Sequence, residues 1–165
     1  MKKLLELLSE LKSAGLIADY ALGGATALVY YWEPVQTQDV DIFIVLSDKS
    51  NELVNLAPIY DFLTGKGVTT DKEYLHIDGT PVQFLVPYNQ LVEEAVKSAK
   101  EVSFLGQSVR IPPLEYLMAI MLQTNRPKDR ARLHDIFEEK GLFNLDALRA
   151  LSERFGLAAR LEALV

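Results

Sequence analysis

Two glycines at the end of one apolar run and two aspartates at the start of the next restrict this chain more than any other feature. Residues 16–22 (LIADYAL) read as a short strand that runs directly into Gly23-Gly24. A glycine pair at such a junction lets the backbone turn sharply and leaves main-chain N–H groups uncovered at the start of a helix, where an anion can sit. Residues 25–32 alternate small and large apolar side chains without a strict period of two, and Pro34 follows, which predicts a buried helix of about two turns. Residues 39–46 (DVDIFIVL) then read as a strand. Side chains two apart on a strand point the same way, about 7 Å apart at Cα. Asp39 and Asp41 are therefore predicted to face one site.

The remaining elements follow from periodicity and turn chemistry. Leu4, Leu5, Leu7, Leu8 and Leu11 recur at helical spacing up to Gly15, which predicts an amphipathic helix over residues 2–14. Leu53, Leu56, Ile59, Tyr60 and Leu63 predict another over residues 52–66, closed by Gly65 and Gly67. Asp78-Gly79, between apolar runs at 73–77 and 82–86, favours a tight hairpin turn. Residues 89–99 read as a helix and 101–111 as a strand pair bent at Gly106. Pro112-Pro113 marks the sharpest boundary, because the residue before a proline is pushed out of helical geometry. Four helices are expected beyond it, over 114–124, 127–139, 145–154 and 157–164. The expected fold class is α/β (α+β): a mixed sheet flanked by helices over residues 1–111, with a helical subdomain over residues 112–165 packed on it.

Composition narrows the chemistry. With 49% hydrophobic residues in 165, the chain has the apolar content for a real core. A net charge of −6 argues against a chain-wide electrostatic grip on nucleic acid and leaves only local contacts. With no cysteine and only His76 and His134, a zinc site has no ligand set, while oxygen-ligated metals stay open. Glu6, Ser9, Glu10 and Lys12 break the first apolar run, unlike a secretory leader, and no apolar stretch reaches membrane-spanning length. The expectation is a cytoplasmic protein with no membrane partner.

A carboxylate pair on one strand face is electrostatically awkward, because like charges raise one pKa unless a cation lies between them. Magnesium suits it, since it takes hard oxygen ligands and is commonly shared between one or two carboxylates and a substrate's phosphates. Taken singly, the glycine pair is an ordinary turn and Asp-Val-Asp a solvated strand end. Their order and spacing give the combination its weight. Leu22-Gly23-Gly24, a short helix, then Asp39-Val40-Asp41-Ile42 resembles the DNA polymerase β-like nucleotidyltransferase superfamily. Thr37, two residues before the first aspartate, matches its small bacterial members, the minimal nucleotidyltransferases and abortive-infection type IV toxins. The resemblance is specific over residues 16–46 and loose in element order to about residue 111.

That resemblance implies the nucleotidyltransferase fold and, with Mg2+, transfer of a nucleoside monophosphate from a nucleoside triphosphate to an acceptor hydroxyl on RNA, protein or a small molecule. It implies Gly23, Gly24 and Thr37 at the nucleotide, Asp39 and Asp41 as catalytic metal ligands, and a third carboxylate on a later strand, at the position Gln83 occupies. A neutral amide neither offsets a metal's charge nor takes a proton. The alternative is thus a catalytically degenerate nucleotide-binding or protein-interaction module, such as one paired with an antitoxin partner. Asp78, with its turn role, and Glu73, expected on the neighbouring strand, are weaker stand-ins. Val35 stands where related toxins usually carry arginine.

Residues 125–134 (NRPKDRARLH) form a basic cluster in an acidic chain, with Asn125 as expected cap and Pro127 in the first helical turn. It resembles the Lys-Asp-containing helix that follows the sheet in similar proteins, where Lys128 or Arg126 would neutralise a triphosphate or contact an RNA acceptor. The plain alternative is a solvated face with Asp129 and Asp135 paired to neighbouring arginines. His76 and His134 suit structural or surface roles. Tyr30, Tyr31 and Trp32 could stack on a base and fit core packing equally well.

Overall fold

The computed structural model describes residues 1–32, 37–47 and 54–165. The N-terminal leucine stripe forms α1 (Lys2–Ser13), which buries Leu4, Leu7, Leu8 and Leu11. Gly15 ends it at a φ of +71°, the left-handed conformation that a glycine adopts without a Cβ penalty. Then come β1 (Ile17–Leu22), α2 (Gly24–Tyr31), β2 (Val40–Leu46), α3 (Ala57–Gly65), β3 (Thr69–Asp71), β4 (Tyr74–Ile77) and β5 (Thr80–Leu85). They are followed by α4 (Gln90–Lys97) and the hairpin β6 (Lys100–Phe104) and β7 (Gln107–Ile111). Four helices complete the chain: α5 (Leu114–Thr124), α6 (Pro127–Glu138), α7 (Leu145–Arg154) and α8 (Ala158–Glu162).

The main sheet has the order β1-β2-β5-β4-β3, and β6-β7 form a separate two-stranded sheet. Only β2 and β5 run parallel within the five-stranded sheet; its other pairs are antiparallel. Ile42, Ile44, Leu75, Ile77, Val82 and Phe84 face α1 and α3 in the largest apolar cluster. Their strand neighbours point the other way, where Ala21 and Phe43 pack on Val92 and Val96 of α4. A further cluster joins α5–α8 to Ala25 and Leu28 of α2 and Leu91 of α4. The expected α/β arrangement, a mixed sheet flanked by helices with helices at the C-terminal end, is the one observed.

Leu8 is fully buried at the centre of the α1 stripe, so Leu8→Ala is expected to cost about 3 kcal/mol of unfolding free energy through lost transfer energy and a residual cavity. Denaturant unfolding measures this directly, and a change below about 1 kcal/mol would contradict the packing described.

Three details depart from the sequence reading. β3 was not expected, because its three residues are all exposed and carry no apolar alternation. Glu73 was expected on a strand and lies instead in the turn between β3 and β4. The helix expected from residue 52 begins at Ala57, with Pro58 in its first turn; Leu53 falls outside the described residues. Asp78 and Gly79 do form the tight hairpin turn, both with positive φ (+49° and +76°).

Candidate functional site

The site begins where β1 turns into α2. Gly23 caps the helix, and its N–H donates to the Asp41 carbonyl oxygen at 2.8 Å, tying the turn to β2. Gly24 has a φ of +51°, and a Cβ there would lie 1.9 Å from Asp41 Oδ2. A Cβ on Gly23 would meet the Phe43 ring at 2.6 Å. Both glycines are thus demanded by β2 side chains, and only a bare backbone lets the Asp41 carboxylate rest against the first turn of α2.

Asp39 immediately precedes β2. The Thr37 hydroxyl lies 2.8 Å from its carbonyl oxygen and 2.9 Å from its Oδ1, sharing one proton between them. The buried Thr26 hydroxyl, from inside α2, donates to the same carbonyl at 3.1 Å. Across the sheet, Asp41 is in register with Gln83 on β5, and Gln83 with Tyr74 on β4. That row lies on the sheet face turned away from α1, because Ile42, Val82 and Leu75 occupy the other.

The facing wall comes from the turn between α5 and α6. Asn125 ends α5 in the left-handed conformation, φ +51°. The chain then re-enters a helix whose Arg126, Lys128 and Arg132 line the same cavity, of about 370 Å³, as Gly24, Asp39, Asp41 and Gln83. Among the described residues, Lys128 and Arg132 are in no ion pair. Burial raises the Asp41 pKa above the ordinary carboxylate value, as does the charge of Asp39, while Lys128, Arg126 and Arg132 pull it back in part. Asp129 is fully buried, and burial is its largest single influence, yet hydrogen bonds from Arg126 and Thr124 together with the Arg126 charge hold its pKa below the ordinary value.

Among the described residues no three His, Asp or Glu side chains gather as a metal site. The Asp39–Asp41 pair nevertheless fits magnesium, which needs only one or two carboxylates when substrate oxygens and water complete its shell. A cation held between the two carboxylates would oppose both causes of the raised Asp41 pKa, its burial and the neighbouring Asp39 charge.

Gly24, Thr37, Asp39, Asp41, Gln83 and Lys128 all line the cavity, and Gly23 adjoins it at the cap. Asp78 does not; it lies at the hairpin turn, 3.4 Å from Lys3 Nζ. Glu73, His76 and His134 also lie outside the lining, and exposed His134 Nε2 is 3.8 Å from Glu138. Tyr31 donates to the Pro112 carbonyl at 2.8 Å and packs edge-on to Tyr30, and Trp32 joins the apolar cluster of α5–α8. None of these three aromatics reaches the cavity. Val35 lies outside the described residues. Sequence reasoning missed Thr26, Tyr74 and Arg132; of these, only Arg132 left a signal, one helical turn after Lys128.

No protein-family model and no curated protein matches the sequence. The comparison of structures gives remote likenesses. An antigenic nucleotidyltransferase-like protein from Paracoccidioides brasiliensis shares 16% identity, with 96% of this chain and 90% of that one covered and a TM-score of 0.48. The antibiotic-resistance factor ANT(2'')-Ia shares 14% identity, with 99% and 87% covered and a TM-score of 0.49. Likenesses this remote leave its chemistry to be read from its own residues.

Proposed function

We propose that this protein binds a nucleoside triphosphate with Mg2+ in the cavity between β2 and α6. The observation that carries the reading is the opposition of two walls: the Asp39–Asp41 pair beside the start of α2, and Arg126, Lys128 and Arg132 across from it. A metal-bound triphosphate is the kind of ligand that satisfies both, with its metal toward the carboxylates and its phosphates toward the cations and the α2 N–H groups. In this reading Asp39 and Asp41 ligate the metal, Thr37 and Thr26 hold Asp39 in place, and Gly23, Gly24 and Lys128 contact phosphate. Bound magnesium would supply charge stabilisation for the attacking and leaving oxygens of a phosphoryl displacement.

Transfer of a nucleoside monophosphate to an acceptor hydroxyl on RNA, protein or a small molecule is the activity such a site serves. Gln83 favours a second reading, nucleotide binding without efficient turnover, because its amide stands beside Asp41 and can orient an acceptor hydroxyl but not take its proton. Residues 112–165 then act as a helical subdomain that supplies the cationic wall, and a protein partner of the antitoxin kind belongs to the second reading, in a cytoplasmic setting.

Calorimetry of ATP with and without magnesium, run beside a labelled-nucleotide transfer assay, tests the proposal. Magnesium-dependent binding supports it, and its absence overturns it. Gln83→Asp puts a proton acceptor next to Asp41 and is expected to raise transfer roughly 100-fold over the parent chain. An unchanged rate in that variant would place acceptor activation elsewhere.

A further inference from the structure

Asp129 makes more hydrogen bonds than its place in α6 requires. As the third residue of the helix it accepts from the Arg126 backbone N–H at 3.2 Å, which by itself completes an N-terminal cap. Its Oδ2 also takes the Thr124 hydroxyl at 2.7 Å and Arg126 Nε at 2.6 Å, while Oδ1 takes Arg126 Nη2 at 3.1 Å. The last two form a bidentate arginine–carboxylate pair, which fixes the plane of the guanidinium as well as its position. Nη1 of Arg126 has no hydrogen-bond partner among the described residues. The carboxylate is fully buried while the Arg126 side chain is about half exposed, and both residues line the cavity that contains Asp41.

We infer that Asp129 is a positioning residue, which holds the Arg126 guanidinium as a preset anion contact on the wall facing Asp39 and Asp41. The inference rests on the nucleotide reading above and names the group that meets the triphosphate. A free arginine loses side-chain freedom when it grips phosphate; one already clamped by Asp129, which Thr124 holds in turn, has lost it on folding, so its remaining donors bind at lower entropic cost. The clamp has an opposing effect, since the Asp129 charge partly cancels the attraction of Arg126 for an anion. Positioning and charge therefore predict opposite outcomes when Asp129 is neutralised.

Isothermal titration with magnesium-ATP and, separately, with inorganic triphosphate distinguishes them. Asp129→Asn is expected to weaken both ligands roughly tenfold although the site loses a negative charge. In an Arg126→Ala background the same change should weaken neither. Unchanged or tighter binding in Asp129→Asn, or an equal loss in the Arg126→Ala background, overturns the inference. If thermal melting shows Asp129→Asn unfolded, Arg126→Lys decides: it keeps the charge, lacks the bidentate fork and should also lose roughly tenfold, and parent-like affinity overturns the inference. Magnesium-dependent ATP binding that ignores Asp129 leaves the nucleotide reading standing without the clamp. Triphosphate binding that needs Arg126 and Asp129, without ATP binding, does the reverse. Binding of neither ligand by the parent chain overturns both.

Discussion

Asp41→Asn is expected to lower magnesium-dependent nucleotide affinity by roughly 100-fold or more, as removal of one partner from a buried charge pair does, while raising the melting temperature of the ligand-free protein. The two effects have one origin. Burial and the neighbouring Asp39 raise the Asp41 pKa in the folded chain. A carboxyl whose folded pKa lies above its unfolded value contributes stability that is fully present below the unfolded pKa and is lost as pH rises through the folded one. Asparagine does not ionise, so it avoids that loss. Melting curves of parent and variant should converge in acid and separate towards neutrality, with the variant higher. Magnesium with nucleotide should then stabilise the parent and leave the variant unmoved. Adding Asp39→Asn should leave no magnesium-dependent binding at all, and parent-like affinity in that double variant would remove the carboxylates from the site.

Gly24→Ala should be the most damaging of the glycine-to-alanine changes. The left-handed backbone costs a non-glycine residue about 1–2 kcal/mol, and the new Cβ would sit 1.9 Å from Asp41 Oδ2. The carboxylate has to leave its place, and nucleotide binding is expected to go with it. Gly23→Ala makes a useful contrast: its φ of −124° is open to any residue, and the obstacle is the Phe43 ring, which can shift. That variant should lose stability and keep more of its binding. Because the Gly24 clash is with a named side chain, Asp41→Ala in the Gly24→Ala chain should recover part of the lost stability in thermal melts. Strictly additive losses would disprove the contact.

What was legible in the sequence was short in range. The glycine turn, α2, β2 and the shared face of Asp39 and Asp41 follow from local rules of spacing and turn chemistry. The Asp78-Gly79 hairpin and the proline boundary before α5 follow in the same way. The row Asp41, Gln83, Tyr74 required two strand pairings, one of them a parallel pair between segments distant in sequence. Resemblance pointed to Gln83, but no local signal pointed to Tyr74. Thr26 is hidden in an apolar helix, where a hydroxyl looks incidental until its acceptor, the Asp39 carbonyl, is known. Asp129 was read as half of a surface ion pair. The pairing with arginine is real, but a charged helix does not announce which carboxylate is turned inward, and this one is fully buried.

Helix α2 contributes residues to two apolar clusters at once. Ala27 packs with the residues that carry β2, whereas Ala25 and Leu28 pack with Leu133 and Ile136 of α6. The strand that carries the carboxylates therefore packs in one cluster and the helix that carries the cations in the other, with α2 and α5 contributing to both. Ala27 is fully buried and lies outside the cavity lining, yet a larger side chain there would push the walls apart. The width of the cavity is thus written in core packing, at a position outside its lining.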